Sequence, residues 1–148
     1  MEESDALMLE MRRVLPARST LVFELFTDPQ QLAEWWGPEG FSTPYLEFDA
    51  RVGESFRVEM QPPEGDVFHL TGEFREVVPP TRLAYTFEWE EPDPDDVETL
   101  VDLSFRDLGE STEVDLSQGP FKTEARLALH RNGWTDGFDK LEELLSPA

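Results

Sequence analysis

The feature that most constrains the fold of this chain is a succession of six short segments in which apolar and polar residues alternate. In one of them, Phe56, Val58 and Met60 alternate with Ser55 and Arg57. Because successive side chains of a strand point to opposite faces of a sheet, this period of two predicts strands with one apolar face and one polar face. Turns rich in Gly, Pro and Asp separate the segments, which predicts an antiparallel meander. The predicted strands are Tyr45–Asp49, Glu54–Met60, Val67–Val78, Arg82–Glu90, Val97–Arg106 and Thr112–Ser117.

The last part of the chain supplies a cover for the apolar face of this sheet. Six residues recur there at spacings of three and four, which places them on one stripe of a helix over Thr123–Leu145. Gly133 and Gly137 weaken this helix, but they also allow its backbone to approach another element closely. The stripe consists of Leu127, His130, Trp134, Phe138, Leu141 and Leu145.

Ahead of the meander, the pattern predicts a first strand and a first short helix. The strand covers Ala6–Leu15 and ends at Pro16. Ser19 or Thr20 is available as the N-cap of the helix that follows. The apolar face of this helix consists of Leu21, Val22, Leu25 and Phe26.

A second short helix begins at Asp28 and Pro29. Asp is favoured at the N-cap of a helix and Pro at its first position, so the pair is typical of a helix start. We place the end of this helix at Trp35 and Trp36, before Gly37. Adjacent residues do not share a helix face, so we expect one of the two tryptophans to lie at the mouth of a cavity.

Charge and composition exclude several classes of function. The chain has 33 acidic and 12 basic residues and a net charge of −21, which repels phosphate backbones and anionic lipid surfaces. We therefore expect no nucleic-acid partner and no membrane partner. The chain has no cysteine, which excludes a disulfide framework, a thiolate nucleophile and a cysteine-ligated metal. No metal-ligand spacing such as HExxH occurs, and we expect neither a bound metal nor a cofactor.

The length of 148 residues is typical of one domain, and we expect residues 1–148 to form a single one. The N-terminal stretch is acidic where a signal peptide is basic, and no apolar run reaches the length of a membrane span. We therefore expect a cytoplasmic protein. An exposed edge strand permits a homodimer whereas acidic repulsion favours a monomer, and both states remain open.

Four stretches occur in an order that is specific when they are taken together: LPARSTLVFELFTDPQQLAEWWGPEGF, DARVGESFRVEM, GEFREVVPPTRLAYTFEW and HRNGWTDGFDKLEELL. The chain resembles the SRPBCC or START-like superfamily, in the AHSA-type branch named for the activator of a heat-shock chaperone's ATPase. The resemblance implies an α+β helix-grip fold: a curved antiparallel sheet wrapped around a long C-terminal helix, with two short helices after the first strand. It also implies a gap between helix and sheet. Members use this gap for lipid or sterol transport, polyketide cyclisation, hormone sensing, or only as core.

Aromatic residues on the predicted inner face either line such a gap or fill the core. Gly72, on the same face, leaves room for the helix, for a bend or for a ligand. His130, on the helix stripe, is the candidate acid–base residue, whereas His69 falls on the polar sheet face and suggests a surface role. The candidate ligand-binding residues are Trp35, Trp36, Phe56, Phe68, Phe74, Tyr85, Phe87, His130, Trp134 and Phe138, with Trp89 on the same face.

Three hypotheses of different class remain open. The first is a binding protein that holds a small, largely apolar molecule, with His130 or Tyr85 as one polar anchor. The second is an enzyme of cyclase or aromatase type in which His130 transfers protons. The third is a protein that binds a chaperone or another protein through its surface. It predicts an exposed apolar patch around Trp35, or docking through the acidic loop Glu90–Asp96.

Overall fold

The computed structural model describes residues 7–145, which form the predicted α+β helix-grip fold. Seven antiparallel strands make one curved sheet in the order β1-β7-β6-β5-β4-β3-β2, so β1 and β2 are its edges. None of the helices in the described part of the chain is both long enough and apolar enough to cross a membrane. The elements are β1 Leu7–Leu15, α1 Ser19–Thr27, α2 Pro29–Leu32, β2 Ser42–Glu47, β3 Ser55–Gln61, β4 Phe68–Val78, β5 Arg82–Trp89, β6 Thr99–Asp107, β7 Thr112–Phe121 and α3 Glu124–Leu145.

The start of α2 is confirmed in detail. The carboxylate of Asp28 accepts hydrogen bonds from the backbone N–H of Gln30 at 2.9 Å and of Gln31 at 3.4 Å. Pro29 follows as the first helical residue. The carboxylate thus satisfies two of the N–H groups that have no partner inside the helix.

The cap predicted for α1 is wrong. Arg18 occupies the N-cap position with an extended backbone and makes no side-chain capping bond, and Ser19 is already helical. Ser19 is buried in the first turn of the helix. The first strand is confirmed from Leu7 onward, whereas Ala6, where the prediction begins, lies outside the described residues.

Several strand limits differ from the predicted ones. β6 begins at Thr99 rather than Val97, because its ladder with β5 begins at the pair of Phe87 and Thr99. Val97 lies exposed in the preceding loop. β7 continues beyond Ser117 to Phe121, because β1 pairs with it along that extension. β2 begins and ends slightly earlier than predicted.

The predicted faces of the sheet are confirmed. Phe56, Val58 and Met60 of β3 are buried, whereas Ser55 and Arg57 are exposed. The stripe of α3 packs against the buried face, with its central four residues fully or nearly buried. These four are His130, Trp134, Phe138 and Leu141.

Part of the inner sheet face is filled by four rings that we call the aromatic cluster. Every pair of ring centroids in it lies 5.0–6.1 Å apart. Gly72 lies beside it: a Cβ atom there would be 2.5 Å from the ring of Phe56 and would clash with the backbone oxygen of Thr86. The glycine therefore makes room for the Phe56 ring and the neighbouring strand. The aromatic cluster consists of Phe48, Phe56, Phe74 and Tyr85.

Candidate functional site

Another part of the inner face borders a pocket of about 360 Å³ between α3, the turn after α2 and the ends of β3, β4 and β5. This volume lies near the lower end of the roughly 300–1,000 Å³ range typical of small-molecule sites. All four tryptophans of the chain line it, Trp35 and Trp36 from the turn, Trp89 from β5 and Trp134 from α3. The wall is therefore mainly aromatic.

Six of the ten candidate residues are brought together around this pocket. They come from four parts of the chain, the turn after α2, β4, β5 and α3, which only the folded structure places next to one another. Their role in binding a ligand stays a prediction. The six are Trp35, Trp36, Phe68, Phe87, His130 and Trp134.

The other four candidates do not line the pocket. Phe56, Phe74 and Tyr85 belong to the aromatic cluster, where the rings pack against one another. Phe138 lies one turn of α3 beyond Trp134 and is fully buried against other core residues. Burial raises the pKa of the Tyr85 phenol, which stays protonated. These four side chains are part of the core.

Both tryptophans of the adjacent pair are buried, with exposed fractions of 1% for Trp35 and 5% for Trp36. The expectation that one would lie at a cavity mouth assumed a helix, but α2 ends at Leu32 and the pair lies in the turn that follows. The indole N–H of Trp35 donates to the carbonyl of Leu25 at 2.8 Å. The ring of Trp36 packs edge-on against Trp134, with centroids 5.5 Å apart. A turn can direct neighbouring side chains into one core, whereas a helix cannot.

His130 uses both ring nitrogens inside the protein. The indole N–H of Trp89 donates to Nε2 at 3.1 Å, so Nε2 is an acceptor. The ring proton is therefore on Nδ1, which donates to the carbonyl of Arg126 at 2.7 Å. Burial is the main cause that lowers the pKa of His130. The imidazole is consequently neutral near pH 7 and has no unused nitrogen.

A buried chain of hydrogen bonds connects α3 to the sheet behind the pocket. The indole N–H of Trp134 donates to Oε1 of Gln118 at 2.7 Å, and Nε2 of Gln118 donates to Oγ1 of Thr99 at 2.9 Å. The exposed fractions of Gln118 and Thr99 are 0% and 4%. Buried polar groups of this kind are stable only when paired, so the chain fixes the helix on the sheet.

One side of the pocket is charged. The loop between β5 and β6 contributes Glu91, Asp93 and Asp96, which we call the acidic rim, and α3 contributes Arg126. Nε and Nη2 of Arg126 donate to Oδ1 of Asp96 at 2.8 and 2.6 Å, and Nη1 lies 3.5 Å from Asp93. These contacts hold the loop against the first turns of α3. The loop considered above for docking is thus a wall of the pocket.

Several residues that line the pocket are not among the candidates predicted from the sequence. Arg126 lies four residues before His130, and this spacing places it on the same side of α3, which was a usable signal. Met60 was predicted on the inner sheet face but was not selected. Phe41 precedes β2 in the connecting segment, where no periodicity indicates its direction.

His69 is half-buried and paired. Its Nδ1 lies 2.8 Å from Oε2 of Glu91, and its Nε2 lies 3.8 Å from Glu59. The hydrogen bond with His69 holds the pKa of Glu91 below its usual value. His69, Glu90 and Glu91 form a group of metal-ligand type, but Arg57 already binds Glu90 at 2.7 and 2.9 Å. A cation there would have to compete with that guanidinium, and the expected absence of a metal stays a prediction.

A curved antiparallel sheet that grips a C-terminal helix, with a pocket between them, defines a helix-grip protein. The chain belongs to the family described as Activator of Hsp90 ATPase homolog 1-like protein, whose model matches residues 16–146. This result confirms the resemblance found in the sequence.

Solved structures support the same assignment. A protein of Chromobacterium violaceum is 27% identical with a TM-score of 0.86, over 95% of this chain and 98% of that one. The AHSA1 protein of Silicibacter pomeroyi is 26% identical with a TM-score of 0.82, and the match covers 93% of this chain and 96% of that one. A protein of Nitrosomonas europaea is 27% identical with a TM-score of 0.80, and the match covers 97% of this chain and 96% of that one. No curated protein sequence matches the chain.

Proposed function

We propose that the protein binds a small, largely apolar molecule in the pocket between α3 and the sheet. The observation that carries this proposal is the pocket wall, which combines all four tryptophans with Phe41, Phe68 and Phe87. Apolar walls with a few polar groups at one side are typical of small-molecule sites. Removal of the ligand's apolar surface from water supplies the free energy of binding.

In this proposal His130 is part of the wall and does not act as an acid or a base. A general base needs a nitrogen within hydrogen-bond reach of the substrate proton, and both nitrogens of His130 are engaged by Trp89 and Arg126. Tyr85, the other predicted anchor, lies in the aromatic cluster. These contacts favour a binding protein over a cyclase or aromatase.

The hypothesis of a surface that binds another protein has less support. It predicts an exposed apolar patch around Trp35, but this side chain is 1% exposed. The acidic loop, its alternative docking element, is held to α3 by the contact between Asp96 and Arg126. A pocket for a small molecule explains the aromatic residues without a protein partner.

Native mass spectrometry of the purified protein, followed by organic extraction, is the first test. We expect an equimolar apolar adduct. The second test uses phenylbutanol, a neutral aromatic alcohol, as a probe. Its binding should shift the indole N–H resonances in proton–nitrogen correlation spectra, because every tryptophan of the chain lines the pocket. A bare mass together with unshifted indole resonances contradicts the proposal.

A matched pair of variants on α3 locates the binding. Gly133 lines the pocket, with the nearest atom to an added Cβ, in Pro38, 3.8 Å away, so Gly133→Leu places a side chain in the pocket. Ala128→Leu adds a leucine at an exposed position of the same helix. We expect the first variant to lose phenylbutanol binding and the second to keep it, with circular dichroism confirming that both are folded. Equal binding by the two variants places the ligand elsewhere.

A further inference from the structure

We propose that the ligand carries a positive charge: it is an apolar amine whose ammonium group lies beside the acidic rim while its body lies among the tryptophans. This inference rests on the proposed function, because it specifies the chemical class that the same pocket binds. Charge complementarity carries it, together with the aromatic surface next to the rim.

The charged groups of the pocket do not balance. The lining residues include three carboxylates, those of the acidic rim, and one guanidinium, that of Arg126, so three negative charges and one positive charge give a formal charge of −2. Arg126 contacts Asp96 and Asp93, whereas Glu91 is hydrogen-bonded to His69 and lies near Arg57. His130 adds no charge, because its Nε2 accepts a hydrogen bond and its Nδ1 donates one, which is the pattern of a neutral imidazole. A neutral ligand leaves this formal charge unchanged, an anion adds to it, and an ammonium group reduces it.

Arg126 does not offer a site for an anion. Its guanidinium already donates twice to Oδ1 of Asp96 and lies near Asp93. An anionic ligand would have to displace these carboxylates, in a protein whose net charge is −21. The field of the whole molecule repels anions and raises the local concentration of cations.

Aromatic surface lies directly beside the rim. Trp89 is two residues from Glu91, and its ring is flanked by Phe68 at 5.2 Å and Phe87 at 5.3 Å between centroids. The indole N–H of Trp89 is used by His130, so it is not available to a ligand, and the ring meets the pocket as an aromatic surface. The face of an indole attracts a cation within about 6 Å. An ammonium group at this place would meet carboxylate oxygens and aromatic faces together.

The test compares three probes with the same aromatic body: phenylbutylamine, phenylbutanol and phenylbutyrate. Titration calorimetry measures affinity, and the indole resonances report the place of binding. We expect the amine to bind about tenfold more tightly than the alcohol, and the carboxylate to bind most weakly. Added salt should weaken the binding of the amine and leave the binding of the alcohol almost unchanged, because only the amine is attracted by charge.

Two carboxylate variants distinguish the effect of the acidic rim on amine binding from the effect of the protein's overall negative charge. Glu91→Gln removes a charge at the pocket, and Glu110→Gln removes the same charge in the turn at the opposite end of β6. We expect the first to weaken amine binding about three- to tenfold and the second by less than about twofold. Asp93→Asn is a second rim variant that leaves the contact of Glu91 with His69 intact.

The possible outcomes distinguish the two proposals. If the alcohol or the carboxylate binds as tightly as the amine, the positive charge of the ligand is refuted while the pocket remains a binding site. If amine binding responds equally to Glu91→Gln and Glu110→Gln, the rim has no specific role and the inference is also refuted. If none of the three probes binds, the proposed function itself fails.

Discussion

The indole N–H of Trp89 donates a hydrogen bond of 3.1 Å to Nε2 of His130, which joins β5 to α3 across one wall of the pocket. A protonated His130 would place a second N–H opposite that donor, and the hydrogen bond would be lost. The contact between Nδ1 and the carbonyl of Arg126 fixes the ring from its other side. The pair thus links the position of α3 to the protonation state of one residue.

The first prediction concerns stability against pH. The pKa of His130 is lowered in the folded state, so the unfolded chain binds a proton more readily. The contribution of His130 to the unfolding free energy is therefore complete above about pH 6.5, the pKa of histidine in the unfolded chain. It is lost as the pH falls below that value. It amounts to about 1.4 kcal/mol for each unit by which the pKa is lowered.

Urea denaturation of the wild type and of His130→Gln, which does not titrate, checks this prediction. The wild type should lose its advantage in unfolding free energy over His130→Gln as the pH is lowered from 7 through about 6.5 and below. The carboxylates titrate in both proteins, so their contributions cancel in the difference between the two unfolding free energies. A difference that stays constant over this range would show that His130 has an unperturbed pKa.

The second prediction concerns the buried pair of Trp134 and Gln118. Gln118→Leu leaves the indole N–H without its acceptor at a fully buried position, and we expect a loss of about 1–3 kcal/mol in unfolding free energy. Trp134→Phe leaves the amide oxygen without its donor and should be destabilising as well. The double variant should lose less than the sum of the two, because neither the indole N–H nor the amide oxygen then remains without its partner. Strict additivity in urea denaturation would contradict the coupling.

The third prediction concerns Gly72. An added methyl group would overlap the ring of Phe56 and the backbone oxygen of Thr86, neither of which can move without disturbing the sheet. We expect Gly72→Ala to lower the unfolding free energy by about 1–3 kcal/mol, although alanine is otherwise better than glycine within a strand. A variant as stable as the wild type would show that this part of the sheet is not tightly packed.

The fourth prediction compares two glycines of one helix. Alanine at Gly133 meets only Pro38 at 3.8 Å, so Gly133→Ala should stabilise α3 by about 0.5–1 kcal/mol. Alanine at Gly137 would lie 3.2 Å from the ring of Trp35, which is fixed by its hydrogen bond to Leu25. We expect Gly137→Ala to show no gain or a loss. Thermal unfolding of the two variants decides the question, and equal gains would refute the close contact.

Local patterns were sufficient for most of the fold. Alternation placed Phe56 and Met60 on the buried face, and the pair of Asp28 and Pro29 marked the start of α2. Such signals depend on neighbours in sequence, which a single chain displays directly.

The division between pocket and core could not be predicted in this way. Phe68 and Phe74 lie on the same face of β4, yet the first lines the pocket and the second belongs to the aromatic cluster. Six residues of strand separate them by roughly 20 Å, and only the path of α3 across the sheet decides which end is covered. Alternation specifies a face and carries no information about position along it. The expectation that one of the two adjacent tryptophans lies at a cavity mouth assumed that the helix continues to Trp36, whereas α2 ends at Leu32 and both side chains are buried.

The separation of the aromatic cluster from the pocket has a consequence for how such a chain can diverge. The rings of Phe48 and Tyr85 stabilise the sheet without touching the pocket, whereas residues such as Phe41 and Leu129 line the pocket without belonging to the aromatic cluster. Substitutions at the pocket end can alter what is recognised while the folding of the sheet is preserved. Proteins that share about a quarter of their residues with this chain keep the same architecture, which shows how much of the sequence can change while the sheet and the helix stay in place.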